Sequence, residues 1–227
     1  MILPIPEVLC ASEVHEVREM LGRGCWGDGR ATAGTQSAQV KNNRQLPEDS
    51  AEAREAARRI LAALDRNALF LSAALPRLVY PPLFNRYEGE ANAFGAHVDN
   101  AVRTHRATGE RVRTDLSATL FLSSPGEYDG GELVIEEPVG ARAYKLEAGA
   151  LLLYPASTVH RVAPVTRGAR VASFFWIESM VRERDRREVL FDLDAAIIGL
   201  RTKQGDTAES IRLTGCYHNL LRMWAQP

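Results

Sequence analysis

Three residues of the sequence have the types and the spacing of a metal site. His97 and Asp99 stand two positions apart in FGAHVDNAV, where we predict a β-strand over Ala96 to Val102. Alternate side chains of a strand share one face, so His97 and Asp99 would point the same way. A distant histidine, His160, follows the apolar segment LLLYPASTV. Two imidazoles and one carboxylate form the facial triad of non-haem Fe(II) oxygenases, which leaves metal positions open for a cosubstrate and dioxygen.

A cation follows the third of these residues. Arg170 stands ten positions after His160 and begins the apolar segment RVASFFWI. A charge at the start of a buried strand is unfavourable unless an anion meets it there. A guanidinium binds a carboxylate through two parallel hydrogen bonds, so Arg170 is a candidate to hold the remote carboxylate of 2-oxoglutarate. The alternative is an ordinary ion pair with a protein carboxylate such as Glu132.

Composition limits the class of protein. A chain of 227 residues can bury one principal core, and its formal net charge of −1 gives no reason to expect nucleic acid or an acidic membrane. The cysteines, Cys10, Cys25 and Cys216, are odd in number and lack CxxC spacing. They therefore indicate neither a disulfide framework nor a zinc finger and favour a reducing cytoplasm. No apolar segment is long enough to span a bilayer, so we expect a soluble protein.

The first third of the chain reads as a short strand followed by helices. Ser12 is the predicted cap of the first helix, and Asp49 or Ser50 is the predicted cap of a long Ala-rich helix. The polar segment SAQVKNNRQL between these helices has few apolar residues, which favours a surface loop with at most a short edge strand. Pro76 closes the helical region.

The middle of the chain has short β-branched and aromatic segments separated by turns, as in an all-β sandwich or barrel. YDGGELVI is the clearest hairpin signal, because Asp-Gly-Gly tolerates positive φ just before an alternating strand. Beyond Met180, apolar residues return at helical spacing and predict two C-terminal helices separated near Gly205. The other predicted strands are Arg77 to Tyr80, Leu83 to Tyr87, Leu116 to Ser123, Gly131 to Glu136, Ala150 to Tyr154 and Val171 to Glu178.

These features together resemble the Fe(II)/2-oxoglutarate dioxygenases of the prolyl and lysyl hydroxylase type, over nearly the whole chain. The segments HVDNAV, RTDLSATLFLS, EYDGGELVIEE, LLLYPASTVHRVAPVTRGARVASFFWI and LTGCYHNLLRMW are most similar to the bacterial PKHD-type hydroxylases, including the PiuC group. The resemblance implies a mainly β fold with flanking helices (α+β), built on a double-stranded β-helix or jelly-roll core. We expect a supporting region over residues 1–76, the dioxygenase core over 77–180 and a helical extension over 181–227.

The resemblance also implies cofactors. It assigns Fe(II) to His97, Asp99 and His160 and 2-oxoglutarate to Arg170, with L-ascorbate as an associated cofactor that supports the ferrous state. Tyr87 lies on the preceding predicted strand, where related prolyl hydroxylases place a tyrosine near the cosubstrate. The alternative for Tyr87 is a core or rim position.

A second contact to the cosubstrate carboxylate stays open. Some family members have a serine two residues after the arginine, whereas this sequence has Ala172 there and Ser173 one position off phase. Thr119 and Tyr154 are the two candidates to replace that serine.

The implied activity is hydroxylation of a substrate coupled to oxidative decarboxylation of 2-oxoglutarate to succinate. The substrate stays open, and the family's association with bacterial iron uptake suggests a siderophore-related small molecule or a peptidyl group. The rival functions are a non-catalytic module that senses iron or 2-oxoglutarate, and a cupin-like enzyme that uses no oxoacid. The intact triad together with Arg170 argues against both.

Two further questions stay open. One is whether the chain forms a homo-oligomer, and the other is whether the loop from Arg103 to Arg113 is merely solvated or is a lid.

Overall fold

The structure is a computed structural model that describes residues 1–32, 35–105 and 108–226. These residues form six α-helices and seventeen β-strands, several of them only two or three residues long. The helices are α1 Ala11–Gly22, α2 Thr35–Val40, α3 Ala51–Asp65, α4 Ala68–Ala74, α5 Arg184–Gln204 and α6 Ala208–Trp224. The strands are β1 Leu3–Ile5, β2 Gly27–Asp28, β3 Lys41–Asn42, β4 Arg44–Gln45, β5 Pro76–Val79, β6 Leu83–Tyr87, β7 Ala93–His97, β8 Val102–Thr104, β9 Arg111–Arg113, β10 Leu116–Phe121, β11 Tyr128–Gly130, β12 Leu133–Glu137, β13 Gly140–Tyr144, β14 Leu151–Pro155, β15 His160–Val162, β16 Val165–Gly168 and β17 Arg170–Ser179. None of these helices is both long enough and apolar enough to cross a bilayer.

Two antiparallel sheets make up the core. The larger has the order β1-β14-β10-β17-β6-β4-β2, with β5 also paired to β17, and the smaller has the order β13-β12-β15-β7-β3. Apart from the β12–β13 hairpin, most paired strands of the two sheets are distant along the chain, so the chain crosses repeatedly between the sheets, as in a jelly roll. The predicted mainly β fold with a jelly-roll core and a helical C-terminal part is therefore confirmed. Apolar side chains from both sheets fill the space between them, namely Tyr87, Phe121, Leu133, Ile135, Leu152, Tyr154 and Val162.

The N-terminal helices begin where side chains satisfy their first backbone amides. Ser50 caps α3 by accepting a hydrogen bond from the Ala53 amide at 3.1 Å, as predicted. The predicted long helix is α3, and before Pro76 a second helix, α4, follows it, where Asn67 accepts a hydrogen bond from the Phe70 amide at 2.9 Å. The predicted Ser12 cap is wrong: α1 begins after Cys10, whose amide donates to the Glu13 carboxylate at 2.9 Å.

The polar segment over residues 37–46 is not a surface loop. It contains the end of α2 and both strands β3 and β4, and it buries Lys41, Asn43, Gln45 and Leu46. Strand β3 pairs with β7 in the smaller sheet, and β4 pairs with β6 in the larger one. The segment therefore links the two sheets, and β3 is the short edge strand that the sequence analysis allowed, whereas β4 lies between β6 and β2. Its polar composition misled the prediction because several of these polar side chains are buried, not solvated.

The predicted strand over Ala96 to Val102 is also wrong. Strand β7 ends at His97, directly opposite His160, which is the first residue of its partner β15. The ladder therefore stops there, and Asp99 lies in the connection that follows. Residues 102–104 form a separate strand, β8, which pairs with β9. His97 and Asp99 therefore do not share one face of a strand, although the two side chains still lie close together.

The YDGGELVI segment does not form the expected hairpin. Gly130 and Gly131 do have the positive φ predicted for them, 70° at each. However, β11 pairs with β16, whereas β12 pairs with β13 and β15. A Cβ atom at Gly131 would lie 2.9 Å from Tyr128 and 3.1 Å from the Arg170 Cδ, so the missing side chain leaves room for Arg170. The turn at Gly130 and Gly131 thus connects β11, which pairs with β16, to β12 in the smaller sheet.

The two predicted C-terminal helices are present and break near Gly205. They pack in an apolar cluster with Leu75, at the end of α4, and with Met180 and Val181, which follow β17. The buried Arg187 side chain donates to the carbonyls of Val181 and Arg182, both at 2.7 Å. The apolar cluster attaches the helical extension to the rest of the protein, and the Arg187 bonds fix the start of α5 to the segment after β17.

Candidate metal and cosubstrate site

The structure brings His97, Asp99 and His160 together. One potential ligand atom from each residue lies within 4.8 Å of the others. His160 Nε2 is 3.8 Å from Asp99 Oδ2, and the two imidazole rings are 4.3 Å apart between centroids. The histidines face each other because β7 and β15 pair in register at these residues. The arrangement of two imidazoles and one carboxylate fits a single divalent ion with other positions left open.

Backbone carbonyls orient both histidines. His97 Nδ1 lies 2.8 Å from the Gly95 carbonyl oxygen, and His160 Nδ1 lies 3.0 Å from that of Thr158. A carbonyl can only accept, so each Nδ1 donates and each Nε2 keeps a lone pair for a metal. Burial, and secondarily the charge of His160, lowers the pKa of His97 to about 4. His97 is therefore neutral at physiological pH, as a metal ligand must be.

Asp99 is held by a residue that the sequence did not indicate. The Ser117 hydroxyl on β10 donates to Asp99 Oδ2 at 2.6 Å. This bond ties the connection after β7 to the larger sheet, which compensates for the absence of a strand at Asp99. The serine gave no signal because its role depends on which strand lies across from it.

Arg170 is buried beside this cluster and is 1% exposed. Its guanidinium lies 5.3 Å from the Tyr87 ring and 5.2 Å from the Phe121 ring. Among the described residues, none of its three side-chain nitrogens has a hydrogen-bond partner, so the alternative ion pair with Glu132 is not formed. Three unpaired donors of a buried cation are unfavourable unless an anion reaches them. The donor set fits a carboxylate such as the distal one of 2-oxoglutarate.

The tyrosines near Arg170 are neutral donors. Tyr87 is opposite Arg170 in the β6–β17 pairing and lies 1% exposed. Burial raises the pKa of Tyr87, and burial likewise raises the pKa of Tyr154. Tyr154 and Thr119, the two candidates for a second carboxylate contact, both line the same pocket as Arg170. Ser173 faces away from it and donates to the Leu83 carbonyl at 3.0 Å.

Tyr128 was not predicted to be near this site. Its hydroxyl is fully buried and has no hydrogen-bond partner in the described part of the chain. The Tyr128 hydroxyl is a further hydrogen-bond donor near Arg170, since the Tyr128 and Arg170 side chains both pack against Gly131.

One pocket joins the metal-site residues to Arg170. The empty space in the pocket and at its mouth, with the adjoining open solvent, is about 730 Å³. Its walls also contain residues that the sequence analysis did not assign to the site, namely Lys41, Asn85, Arg103, Phe174 and Trp176. Alternation along β17 could have identified two of them, because Phe174 and Trp176 lie in phase with Arg170. Of the loop from Arg103 to Arg113, Arg106 and Ala107 lie outside the described residues.

Comparison with known proteins identifies the family and the fold. A model of the 2OG-Fe(II) oxygenase superfamily matches residues 82–178. A prolyl hydroxylase from Trichoplax adhaerens, solved with a hypoxia inducible factor oxygen degradation domain peptide, is similar with a TM-score of 0.59 and 15% identity, over 83% of this chain and 86% of that chain. The viral collagen prolyl hydroxylase from Paramecium Bursaria Chlorella virus-1, solved with 2OG, has a TM-score of 0.52 and 16% identity, over 78% and 96%. At these identities the two likenesses show the fold alone.

The fold and the superfamily match define an Fe(II)- and 2-oxoglutarate-dependent dioxygenase. Residues 185–226, which contain most of α5 and all of α6, match the PKHD-type hydroxylase C-terminal domain. A PKHD-type hydroxylase of Xanthomonas campestris pv. campestris (strain B100) is 57% identical over 227 residues, 99% of each chain. The chain belongs to the PKHD-type hydroxylases.

Proposed function

We propose that His97, Asp99 and His160 hold the Fe(II) of this hydroxylase and that Arg170 binds the distal carboxylate of 2-oxoglutarate. The observation that carries the proposal is a buried guanidinium without a partner among the described residues, in the same pocket as the three convergent ligands. Bound iron supplies the activation of dioxygen, coupled to conversion of 2-oxoglutarate to succinate and hydroxylation of a C–H bond. The protein supplies the geometry.

The surrounding side chains have supporting roles in this proposal. Ser117 fixes the Asp99 carboxylate, and the Gly95 and Thr158 carbonyls fix the two imidazoles. Tyr87, Thr119 or Tyr154 donates a hydrogen bond to the cosubstrate, since each reaches the pocket. The aromatic rings around Arg170 keep water from competing for its guanidinium.

We infer that the chain has three parts. Residues 1–76 are a supporting region, residues 77–180 are the dioxygenase core and residues 181–227 are a helical extension.

We further infer the conditions of the reaction. L-ascorbate keeps the iron ferrous, and the reaction takes place in the cytoplasm, in line with cysteines that form no disulfide. The substrate belongs to bacterial iron uptake, as a siderophore-related molecule or a peptidyl group.

We also infer a surface for a homo-oligomer. Exposed apolar residues of α5 and α6, such as Val189 and Ile211, form the surface through which two copies of the chain would associate.

Metal binding tests the assignment of the three ligands. Asp99→Ala removes the anionic ligand and His160→Ala removes an imidazole, so each variant should lose most of its affinity for Fe(II). His15→Ala is the matched control, because His15 is exposed on α1 and far from the pocket. Anaerobic Fe(II) titration of the three variants measures this. Unchanged stoichiometry and affinity in folded Asp99→Ala and His160→Ala would refute the site.

Turnover separates an enzyme from the rival sensor. Iron-loaded wild type with 2-oxoglutarate, ascorbate and air should form succinate slowly without substrate and faster with it. A protein that binds both ligands but never forms succinate, with any candidate substrate, would be the non-catalytic module instead.

A further inference from the structure

Two cations line the pocket away from Arg170. Lys41 is 5% exposed, and its Nζ donates to Gln45 Oε1 at 2.9 Å. The same Nζ lies 5.4 Å from the Phe94 ring and 5.6 Å from the Phe174 ring. The Arg103 guanidinium lies 4.3 Å from the Trp176 ring at the same pocket. These contacts hold Lys41 and Arg103 against an aromatic wall.

The positive charges of Lys41 and Arg103 repel each other. The pKa of Lys41 is lowered to about 8, first by burial and then by the charge of Arg103, whereas Asp99 and Asp28 act in the opposite direction. Burying one cation next to another is unfavourable, and an anion between them would remove that penalty. A negatively charged ligand beside Lys41 and Arg103 would therefore be favourable.

The proposed metal and cosubstrate add no surplus negative charge to the pocket. A divalent iron, the Asp99 carboxylate, the Arg170 guanidinium and a doubly charged 2-oxoglutarate together have no net charge. Lys41 and Arg103 are the other Lys and Arg side chains that line the pocket in the described part of the chain. An anion that enters beside 2-oxoglutarate therefore meets a wall with two cationic side chains.

A buried polar atom of the same pocket points to a ligand as well. Asn85 is 7% exposed and lines the pocket between the two ends, since its Nδ2 donates to the Tyr87 hydroxyl at 3.4 Å. Its Oδ1 has no hydrogen-bond partner within the described ranges. It stands opposite Gln45, the partner of Lys41, in the β4–β6 pairing. Buried amide oxygens are rarely left unpaired, so a donor on a bound molecule is the natural partner.

We propose that Lys41 and Arg103 bind a carboxylate of the primary substrate, with Asn85 accepting a hydrogen bond from a donor on that molecule. Phe174 and Trp176 pack against its carbon skeleton. The substrate class is thus an anionic molecule or chain end, and not a neutral segment inside a peptide. The inference rests on the proposed function, because it requires 2-oxoglutarate to occupy the Arg170 side of the pocket.

Matched ligand pairs test this inference without knowledge of the natural substrate. The protein is loaded with Mn(II) and excess 2-oxoglutarate, which form a complex without turnover, and is titrated calorimetrically. The probes are acetate, benzoate and N-acetylglycine, each beside its primary amide. At least one carboxylate should bind about tenfold or more tightly than its amide, because a charge-assisted contact is worth that much.

Variants identify the residues that cause the preference. Lys41→Met and Arg103→Leu should each reduce it about tenfold, whereas Lys41→Arg should retain most of it. Arg111→Leu is the matched control, since Arg111 is exposed on the same β8–β9 hairpin and does not line the pocket. Arg103→Leu also covers the case in which Lys41→Met fails to fold, because Arg103 is only half-buried.

Two results would overturn the inference while leaving the proposed function intact. One is that no carboxylate binds better than its amide to wild type that has bound 2-oxoglutarate. The other is that Lys41→Met and Arg103→Leu weaken 2-oxoglutarate binding as much as Arg170→Ala does, which would assign both cations to the cosubstrate. Failure of wild type to bind 2-oxoglutarate at all would instead refute the proposed function.

Discussion

Arg170 is the residue whose chemistry is most sharply defined by its surroundings. It is fully buried, packs against two aromatic rings and has three donors without partners in the described chain. Its planar fork, and not only its charge, matches a carboxylate.

Replacement of Arg170 should therefore act on 2-oxoglutarate and not on iron. Arg170→Ala should raise the apparent KM for 2-oxoglutarate well over tenfold, since a desolvated charged contact is worth about 2 to 5 kcal/mol. Arg170→Lys keeps the charge but loses the fork and should recover part of the affinity. The measurement is succinate formation against 2-oxoglutarate concentration, with Fe(II) binding as the control. Equal curves for wild type and both variants would exclude the anchoring role.

The pKa of His97 predicts an acid sensitivity of the metal-free protein. In the unfolded chain His97 takes up a proton near pH 6.5, whereas in the folded protein it stays neutral down to about pH 4. The unfolded state binds more protons in that window, so stability contributed by His97 is complete above pH 6.5 and falls as the pH decreases. The loss is about 1.4 kcal/mol per pH unit. Urea unfolding in chelator at several pH values should show a shallower decline for His97→Gln than for wild type.

The candidate site residues were easier to select from the sequence than the residues that contact them. His97, Asp99, His160 and Arg170 were selected from residue type and spacing, and the structure brings them to one pocket. The roles of Ser117 and Lys41 depend on which strands lie side by side. Strand pairing between distant segments leaves no local pattern, so these two contacts could not be predicted.

At the scale of elements, the connection between β11 and β12 fixes the space around Arg170. Gly131 has φ of 70°, and a Cβ there would approach Val165, Tyr128 and Arg170 within 2.8 to 3.1 Å. The glycine is therefore needed for packing as well as for backbone conformation.

Gly131→Ala should displace Arg170 and raise the apparent KM for 2-oxoglutarate. It should also destabilise the protein by about 1 to 2 kcal/mol, because a left-handed conformation is unfavourable for alanine. Gly89→Ala is the matched control: Gly89 has φ of 53°, also left-handed, but nothing within 4 Å of the added Cβ. Thermal unfolding and 2-oxoglutarate kinetics of both variants separate backbone strain from the lost packing space. The same KM in Gly131→Ala as in Gly89→Ala would contradict a packing role for Gly131.

Long elements were easier to predict than short ones. The strand that begins at Arg170 and both C-terminal helices have apolar patterns sustained over many residues. Strands β3 and β4 have two residues each and are defined only by their partners β7 and β6. The strand expected from Ala96 to Val102 failed for the same reason, because the end of β15 decides where β7 stops.

At the scale of the whole molecule, the C-terminal helices join distant parts of the chain. They cover Leu75 and Val181, while the N-terminal amine pairs with Glu188 on α5. The Gln226 amide donates to the Met180 carbonyl at 2.7 Å, next to the point where the β core ends. The extension is thus built into the core at both of its ends.

Removal of residues 181–227 should expose the apolar cluster around Leu75 and yield an unstable or insoluble fragment. In the intact protein, limited proteolysis should spare the connection near Gly205, because both flanking helices are packed. The control is Cys216→Ser, because Cys216 is exposed on α6 and lies outside the apolar cluster. A soluble, fully active fragment of residues 1–180 would show that the extension is dispensable.

The carbonyl contacts of the two imidazoles also bear on which metal the proposed site would acquire. Because the Gly95 and Thr158 carbonyls orient both rings without an ion, the proposed ligands have little freedom to rearrange around one particular element. Nitrogen and oxygen ligands of this kind follow the Irving–Williams order, in which Fe(II) ranks below Co(II), Ni(II) and Cu(II). Affinity alone would therefore favour binding of the wrong metal. We expect correct loading to depend on the supply of ferrous iron to the newly folded chain, and protein passed over a nickel resin to carry nickel until a chelator removes it.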